Sequence, residues 1–195
     1  MRNNFRTEIL LNMEYKLDKI MISREEISAR VKEIAAEIVK DNGIDNELVV
    51  VGILTGAAVF LTDLVRELPE DMNVKIDFMS VASYGNEMKS SGVVRIYHDL
   101  KNSIEGKNVI VVEDIVDSGL TLSHLLKLLE GRHPSSLKVC VLLDKYSRRE
   151  TEVKLDYCGF QVPDEFVVGY GLDYAGKWRH LKDIKTLVPI EAEAK

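Results

Sequence analysis

Apolar positions along this chain follow two rhythms, one of helices and one of buried strands. Ser23 and Glu26 stand three apart, the spacing at which each side chain satisfies a backbone donor of the other at a helix start. Ile27, Val31, Ile34, Ala35 and Ile38 then recur on one helical face until Asn42-Gly43, which predicts a helix between those points. Residues 48–54 are continuously apolar and rich in β-branched side chains, the pattern of a strand buried on both faces. Phe60, Leu61, Leu64 and Val65 return to helical spacing and stop near Pro69. Residues 74–81 alternate loosely and predict a strand, and residues 93–97 a short one. Between them residues 83–92 are polar and glycine-bounded, which predicts an exposed, mobile loop. Residues 108–113 and 137–143 read as a second and third buried strand, with helical spacing of Leu122, Leu125, Leu126 and Leu129 between them. Residues 166–169 read as a fourth, and residues 1–22 as an irregular lead-in.

Buried strands alternating with amphipathic helices indicate an α/β fold: a parallel twisted sheet flanked by helices on both faces. Such sheets bind ligands beyond the carboxyl ends of their strands. No repeat or linker divides the chain, so residues 1–195 are expected to form one domain.

Composition narrows the function classes. Of 195 residues, 46% are hydrophobic and 30% charged, as in ordinary globular proteins, so disordered and fibrous readings fall away. A formal net charge of −6 disfavours nucleic acid and anionic membranes as partners, because both need a basic patch. No apolar run approaches a membrane span, and the N-terminal apolar run is broken by Asn12 and Glu14, so a cytoplasmic protein without a signal peptide is expected. Two cysteines are too few for a disulfide framework, and Cys140 lies in an apolar run as a small buried hydrophobe. His98, His124, His133 and His180 show no metal-ligand spacing.

One string carries chemistry. Residues 111–121 place Glu113, Asp114 and Asp117 directly after a buried strand, followed by Ser118-Gly119-Leu120-Thr121 at a helix start. Adjacent like charges repel, so acids set at a strand end ask for cations or hydroxyls. The turn behind them offers free backbone N–H groups, two hydroxyls and a helix dipole, the makings of a phosphate site. The bland alternative is capping alone, with Asp117 or Ser118 as N-cap.

The string resembles the phosphoribosyl pyrophosphate signature of the type I phosphoribosyltransferase family. From about residue 15 to residue 190 the chain resembles that family's hypoxanthine-guanine branch, through Leu54-Thr55-Gly56, Ser83-Tyr84, Asp144-Lys145, and Phe166-Val167 to Asp173-Tyr174 followed by Arg179. The resemblance implies attack of a 6-oxopurine on C1 of phosphoribosyl pyrophosphate, giving a nucleoside 5′-monophosphate and pyrophosphate. It implies Mg²⁺, an oxocarbenium-like transition state, and a core of about residues 24–165. A small hood would come from the N-terminal segment and about residues 166–190, and the chain would form a homodimer or homotetramer.

Residue by residue, the resemblance implies that Glu113 and Asp114 hold the ribose hydroxyls and one Mg²⁺, with Asp117 near purine N7 as general base or acid. Ser118, Gly119, Leu120 and Thr121 would cradle the 5′-phosphate. Lys145 would donate to the exocyclic O6, Phe166 would stack on the purine, and the Val167 carbonyl would accept from a 2-amino group. Asp173, also at the purine end, and Arg179 would serve the second Mg²⁺ and the pyrophosphate. Ser83 and Tyr84 would open a loop that closes over the site. Thr55 and Gly56 would bind pyrophosphate through backbone N–H groups, often with a non-proline cis peptide between 54 and 55. Here the chain departs from the family, which commonly has lysine where Thr55 stands. A backbone role survives that change; a charge role does not.

Other motifs read as decoys. Residues 171–178 nearly spell a P-loop, but Trp178 stands where a metal-binding hydroxyl is required. Residues 147–150, Ser-Arg-Arg-Glu, read as solvated or subunit-contact surface. Two rivals to the main reading are a xanthine-preferring sibling transferase and a non-catalytic regulator that senses nucleotides on the same fold. The acidic balance and the presence of Asp117 count against the regulator.

Overall fold

In the computed structural model, the described residues are 14–83 and 94–190. Their core is a six-stranded sheet built from β2 (Leu48–Leu54), β3 (Val74–Ser83), β4 (Val94–His98), β5 (Asn108–Val116), β6 (Ser136–Asp144) and β7 (Tyr157–Gln161). The spatial order is β4-β3-β2-β5-β6-β7. All pairings are parallel except β3 with β4, which is antiparallel, so the expected parallel sheet carries one reversed edge strand.

Helices α1 (Arg24–Asn42), α2 (Ala58–Arg66) and α3 (Leu120–Glu130) cover the sheet. Alternate strand residues feed two separate hydrophobic clusters. Val50, Ile110, Cys140 and Leu142 pack with Ile27, Ile34 and Ile38 of α1 and Phe60, Leu61 and Leu64 of α2. Val49, Val51, Val109, Val111, Val139 and Val141 pack with Leu122, Leu125 and Leu129 of α3. The interior strands are apolar on both faces because both faces are covered. Ser23 and Glu26 form the expected capping box at the start of α1. Cys140 is fully buried, and burial pushes its thiol well above the usual range, as fits a packing residue.

The terminal segments form a second, three-stranded antiparallel sheet. Its order is β1 (Tyr15–Ile22), β9 (Ile184–Pro189), β8 (Val167–Val168). This corrects two expectations. Residues 15–22 are a strand rather than an irregular lead-in. The predicted fourth buried strand is a two-residue piece of the small sheet, preceded by a Phe166 that is 54% exposed. Tyr170 fastens this sheet to the core, its hydroxyl donating to Asp63 of α2 at 2.7 Å. Residues 171–178 form turns and isolated bridges, with no helix following them as a P-loop requires. Among the described residues, no helix is long and apolar enough to cross a membrane.

Candidate active site

Strands β2, β5 and β6 deliver their carboxyl ends to one edge of the sheet, and nearly all the predicted site residues lie there or just above it in the small sheet. β5 runs three residues further than its apolar run predicts, to Val116. Glu113 and Asp114 are therefore strand residues, and only Asp117 and Ser118 stand in the turn. The extension is fixed by pairing with β6, where Ile115 opposes Leu143 and Val116 opposes Asp144.

Burial dominates the acids on β5. Glu113 is half-buried as a residue, but its carboxyl is desolvated, which raises it well above the usual range, and the neighbouring Asp114 charge adds to the rise. Asp114 is also raised by desolvation; the Arg179 guanidinium pulls it down, and Asp173 pushes it up. Two desolvated acids at a strand end are an electrostatic deficit that a cation or donor hydroxyls would relieve.

The turn after β5 opens α3 without a cap. Its N-cap is Gly119 at φ 81°, with no side-chain cap hydrogen bond and no acid in the first turn. Neither Asp117 nor Ser118 takes the N-cap position that the bland alternative required. Gly119 is needed because φ lies in the left-handed region and because the segment behind it leaves no space for a side chain. Leu120 and Thr121 begin the helix; the Leu120 N–H donates to Ser118 Oγ at 3.4 Å, and the positive end of the dipole lies at the turn after β5.

Asp117 meets a partner the sequence pattern did not offer. Arg148 Nε lies 2.9 Å from Asp117 Oδ1, outside hydrogen-bond geometry, and that oxygen is shielded from water with no hydrogen-bond partner. Arg148 also reaches Asp164 at 3.3 Å, and Lys145 Nζ lies 3.8 Å from the same Asp164 oxygen. Lys145 is 7% exposed, with its ammonium 5.8 Å from the centre of the Phe166 ring. Tyr15 and Tyr174 back that ring at centroid distances of 5.9 and 6.3 Å. Successive contacts through Arg148 and Asp164 thus bring the Asp117 carboxylate, the Lys145 ammonium and the Phe166 ring into one neighbourhood. Val167 is buried in β8 beside it.

On the opposite flank Thr55 and Gly56 open the loop between β2 and α2. A cis peptide joins Leu54 to Thr55; Thr55 is exposed and Gly56 buried. A Cβ on Gly56 would sit 1.6 Å from Asp114 Oδ2, and one on Gly171 would sit 2.1 Å from the Gly56 carbonyl oxygen. Arg179 donates to the Gly171 carbonyl at 2.6 Å and pairs with Asp173 at 2.6 Å. Gly56, Asp114, Asp173 and Arg179 therefore form one cluster. Ser83 is the last residue of β3; Tyr84 and most of the predicted mobile loop lie outside the described residues.

Of residues 147–150, Ser147, Arg148 and Glu150 are exposed as expected, with Arg148 reaching Asp117; Arg149 departs from the expectation by pairing with Asp144 in a nearly buried contact. Arg148, Arg149, Asp164 and Tyr15 had no signal of their own, and Tyr174 and Gly171 stood out only as parts of longer motifs. Only nearness to Lys145 and Phe166 in the chain could have raised Arg148 and Asp164. A cavity of about 490 Å³ lies behind Arg179, lined by Arg24, Val59, Asp63, Tyr170 and His180 among others. Of the predicted site residues only Arg179 lines it, so it is separate from the cleft at the strand ends.

A family model described as phosphoribosyl transferase domain matches residues 22–175. A hypoxanthine-guanine phosphoribosyltransferase of Bacillus subtilis (strain 168) is 46% identical over 182 residues, covering 93% of this chain and 99% of the relative. One from Dictyostelium discoideum is 49% identical over 164 residues, covering 84% of this chain and 91% of the relative. A crystal structure of a hypoxanthine-guanine phosphoribosyltransferase from Bacillus anthracis superposes with a TM-score of 0.84 at 43% identity, covering 90% of this chain and 99% of that one.

Proposed function

The chain belongs to the phosphoribosyl transferase family, and from that premise we propose that it is a purine salvage enzyme. It joins hypoxanthine or guanine to phosphoribosyl pyrophosphate and releases pyrophosphate. The observation that carries this reading is the single edge at which an uncapped helix start, desolvated acids and an ammonium-bearing aromatic pocket converge. The relatives named above point to the same chemistry.

The reaction breaks the bond from C1 to pyrophosphate and forms one from C1 to the purine nitrogen. Leaving-group departure runs ahead of attack, so positive charge develops on the ribose. In this reading Ser118, Gly119, Leu120 and Thr121 bind the 5′-phosphate, mostly through backbone N–H groups. Glu113 and Asp114 accept from the ribose hydroxyls, which fixes C1 and places negative charge near the developing cation. Thr55 and Gly56 present backbone N–H groups to the pyrophosphate, and Arg179 adds a planar bidentate donor.

At the other end Phe166 stacks on the base. Lys145 donates to O6, an acceptor in hypoxanthine and guanine and an amino group in adenine. The Val167 carbonyl accepts from the 2-amino group of guanine. Asp117, whose carboxylate lies against Arg148, accepts the N7 proton as the purine bonds to C1.

The donor set fits Mg²⁺. Among the described residues no three His, Cys, Asp or Glu side chains form an enclosing metal cluster. Mg²⁺ keeps several waters and takes one or two carboxylates together with substrate phosphates. Glu113 and Asp114 would hold one ion and Asp173, paired with Arg179, a second, and when bound they would neutralise charge on the leaving pyrophosphate. The reading is tested by following pyrophosphate release from phosphoribosyl pyrophosphate and Mg²⁺ with hypoxanthine, guanine, xanthine or adenine. Release with hypoxanthine or guanine supports it; release with xanthine alone points to the sibling transferase. Binding of phosphoribosyl pyrophosphate without release points to a sensor.

A further inference from the structure

The turn after β5 is held from behind. The Ser118 carbonyl accepts from the backbone N–H of Glu150 at 2.9 Å and of Thr151 at 3.1 Å. A Cβ on Gly119 would meet the Thr151 carbonyl oxygen at 2.6 Å, Arg149 Cδ at 3.1 Å and Arg149 Nη1 at 3.2 Å. The Arg149 side chain therefore lies against the rear of the turn.

The far end of that side chain is fixed as well. Arg149 Nη2 donates to Asp144 Oδ1, and the two side chains are only 13% and 8% exposed. Asp144 ends β6 opposite Val116, which ends β5, and Lys145 N–H donates to the Val116 carbonyl at 2.9 Å. One ion pair thus ties the strand end bearing Lys145 to the back of the turn bearing Asp117 to Thr121. Arg149 Nη1 is shielded from solvent and has no hydrogen-bond partner.

A nearly buried ion pair that leaves a donor unsatisfied is a poor device for stability alone, because well-packed apolar residues of similar volume often do as well or better. It does supply direction, since a planar guanidinium holds its partner in a fixed orientation that an ammonium cannot reproduce. We propose that Arg149, oriented by Asp144, is a positioning residue for the 5′-phosphate turn. It sets the distance between that turn and the base-reading end of the pocket without touching either ligand group. The inference rests on the phosphoribosyl transfer reading above and adds a residue pair to it.

The test is calorimetric affinity for inosine 5′-monophosphate and for inosine, which differ only in the phosphate. It compares the full chain with its Arg149→Ala, Arg149→Lys and Asp144→Asn variants. The unaltered protein prefers the monophosphate; absence of that preference sinks the functional reading itself, and the inference with it. Where the preference is present, Arg149→Ala reduces it by about ten- to a hundredfold, the scale of a turn displaced by about 1 Å, while inosine affinity holds. Arg149→Lys recovers part of the loss, and Asp144→Asn falls between. An unchanged preference in Arg149→Ala overturns the proposal, and so does equal weakening of both ligands. If Arg149→Ala does not fold, the other two variants decide: selective loss in either supports the proposal, and preserved preference in both overturns it.

Discussion

Gly56 and Asp114 touch so closely that a methyl group on Gly56 would fall 1.6 Å from the Asp114 carboxylate oxygen. The loop after β2 and the acidic end of β5 are therefore one surface, with Gly171 sealing it from behind. Gly56→Ala must push Asp114 or the loop aside. The expected outcome is a KM for phosphoribosyl pyrophosphate raised at least about tenfold, on the scale of a displacement of about 1 Å, with the KM for hypoxanthine nearly unchanged. Steady-state kinetics with each substrate varied in turn checks this. Equal KM values in variant and parent would show that the contact plays no part in binding the sugar phosphate.

Lys145 is nearly buried beside Phe166 and shares Asp164 with Arg148. A hydrogen bond from a charged donor is worth about 1.5–3 kcal/mol. Lys145→Ala is therefore expected to weaken hypoxanthine binding by about one to two orders of magnitude. Affinity for phosphoribosyl pyrophosphate should stay close to that of the parent. A matched loss of both affinities contradicts its role as the O6 donor.

Asp117 stands in the turn before α3 with its carboxylate beside Arg148. Asp117→Asn keeps the shape and removes the proton-accepting charge. Turnover should fall by roughly 10²–10⁴-fold while nucleotide binding largely persists. Rapid-quench measurement of the chemical step gives the answer, and an unchanged rate takes Asp117 out of the proton transfer.

Glu113 makes a pH prediction. Its carboxyl is raised in the folded chain, so above the ordinary glutamate range the unfolded state has already released a proton that the folded state retains. Folding stability then falls as pH climbs from the ordinary value to the raised one. Glu113→Gln removes that penalty, so the ligand-free variant should melt higher than the parent near neutral pH and lose the advantage under acid conditions. It should also bind phosphoribosyl pyrophosphate more weakly, as expected of a strained functional group. Thermal melts across pH check the sign; a variant less stable at neutral pH refutes it.

Much of this molecule was legible because its interior strands are covered on both sides. β2 read as an unbroken apolar run, β5 and β6 as apolar runs with a few polar residues, and α1 announced its start through Ser23 and Glu26. The missed elements depend on distant partners. β1 exists because Tyr15 pairs with Pro189 and Leu17 with Leu187, and its own pattern is half-buried and mixed. β7 is a five-residue edge strand whose Gly159 presses on the Leu142 carbonyl, a contact with no counterpart in the sequence. The acidic string was legible as a candidate site because three acids set so close after a buried strand are costly without a ligand. Arg148 and Arg149 were not, because a charge run reads as surface until the end of β6 turns one arginine inward and the other toward Asp117.

The most direct test identifies the nucleotide formed from phosphoribosyl pyrophosphate, Mg²⁺ and an equal mixture of hypoxanthine and adenine. Inosine 5′-monophosphate should accumulate in stoichiometric balance with pyrophosphate, with adenosine 5′-monophosphate lower by at least about tenfold, because Lys145 meets an amino group there instead of an acceptor. Comparable yields of both nucleotides, or neither nucleotide from a protein that still binds phosphoribosyl pyrophosphate, would contradict the account.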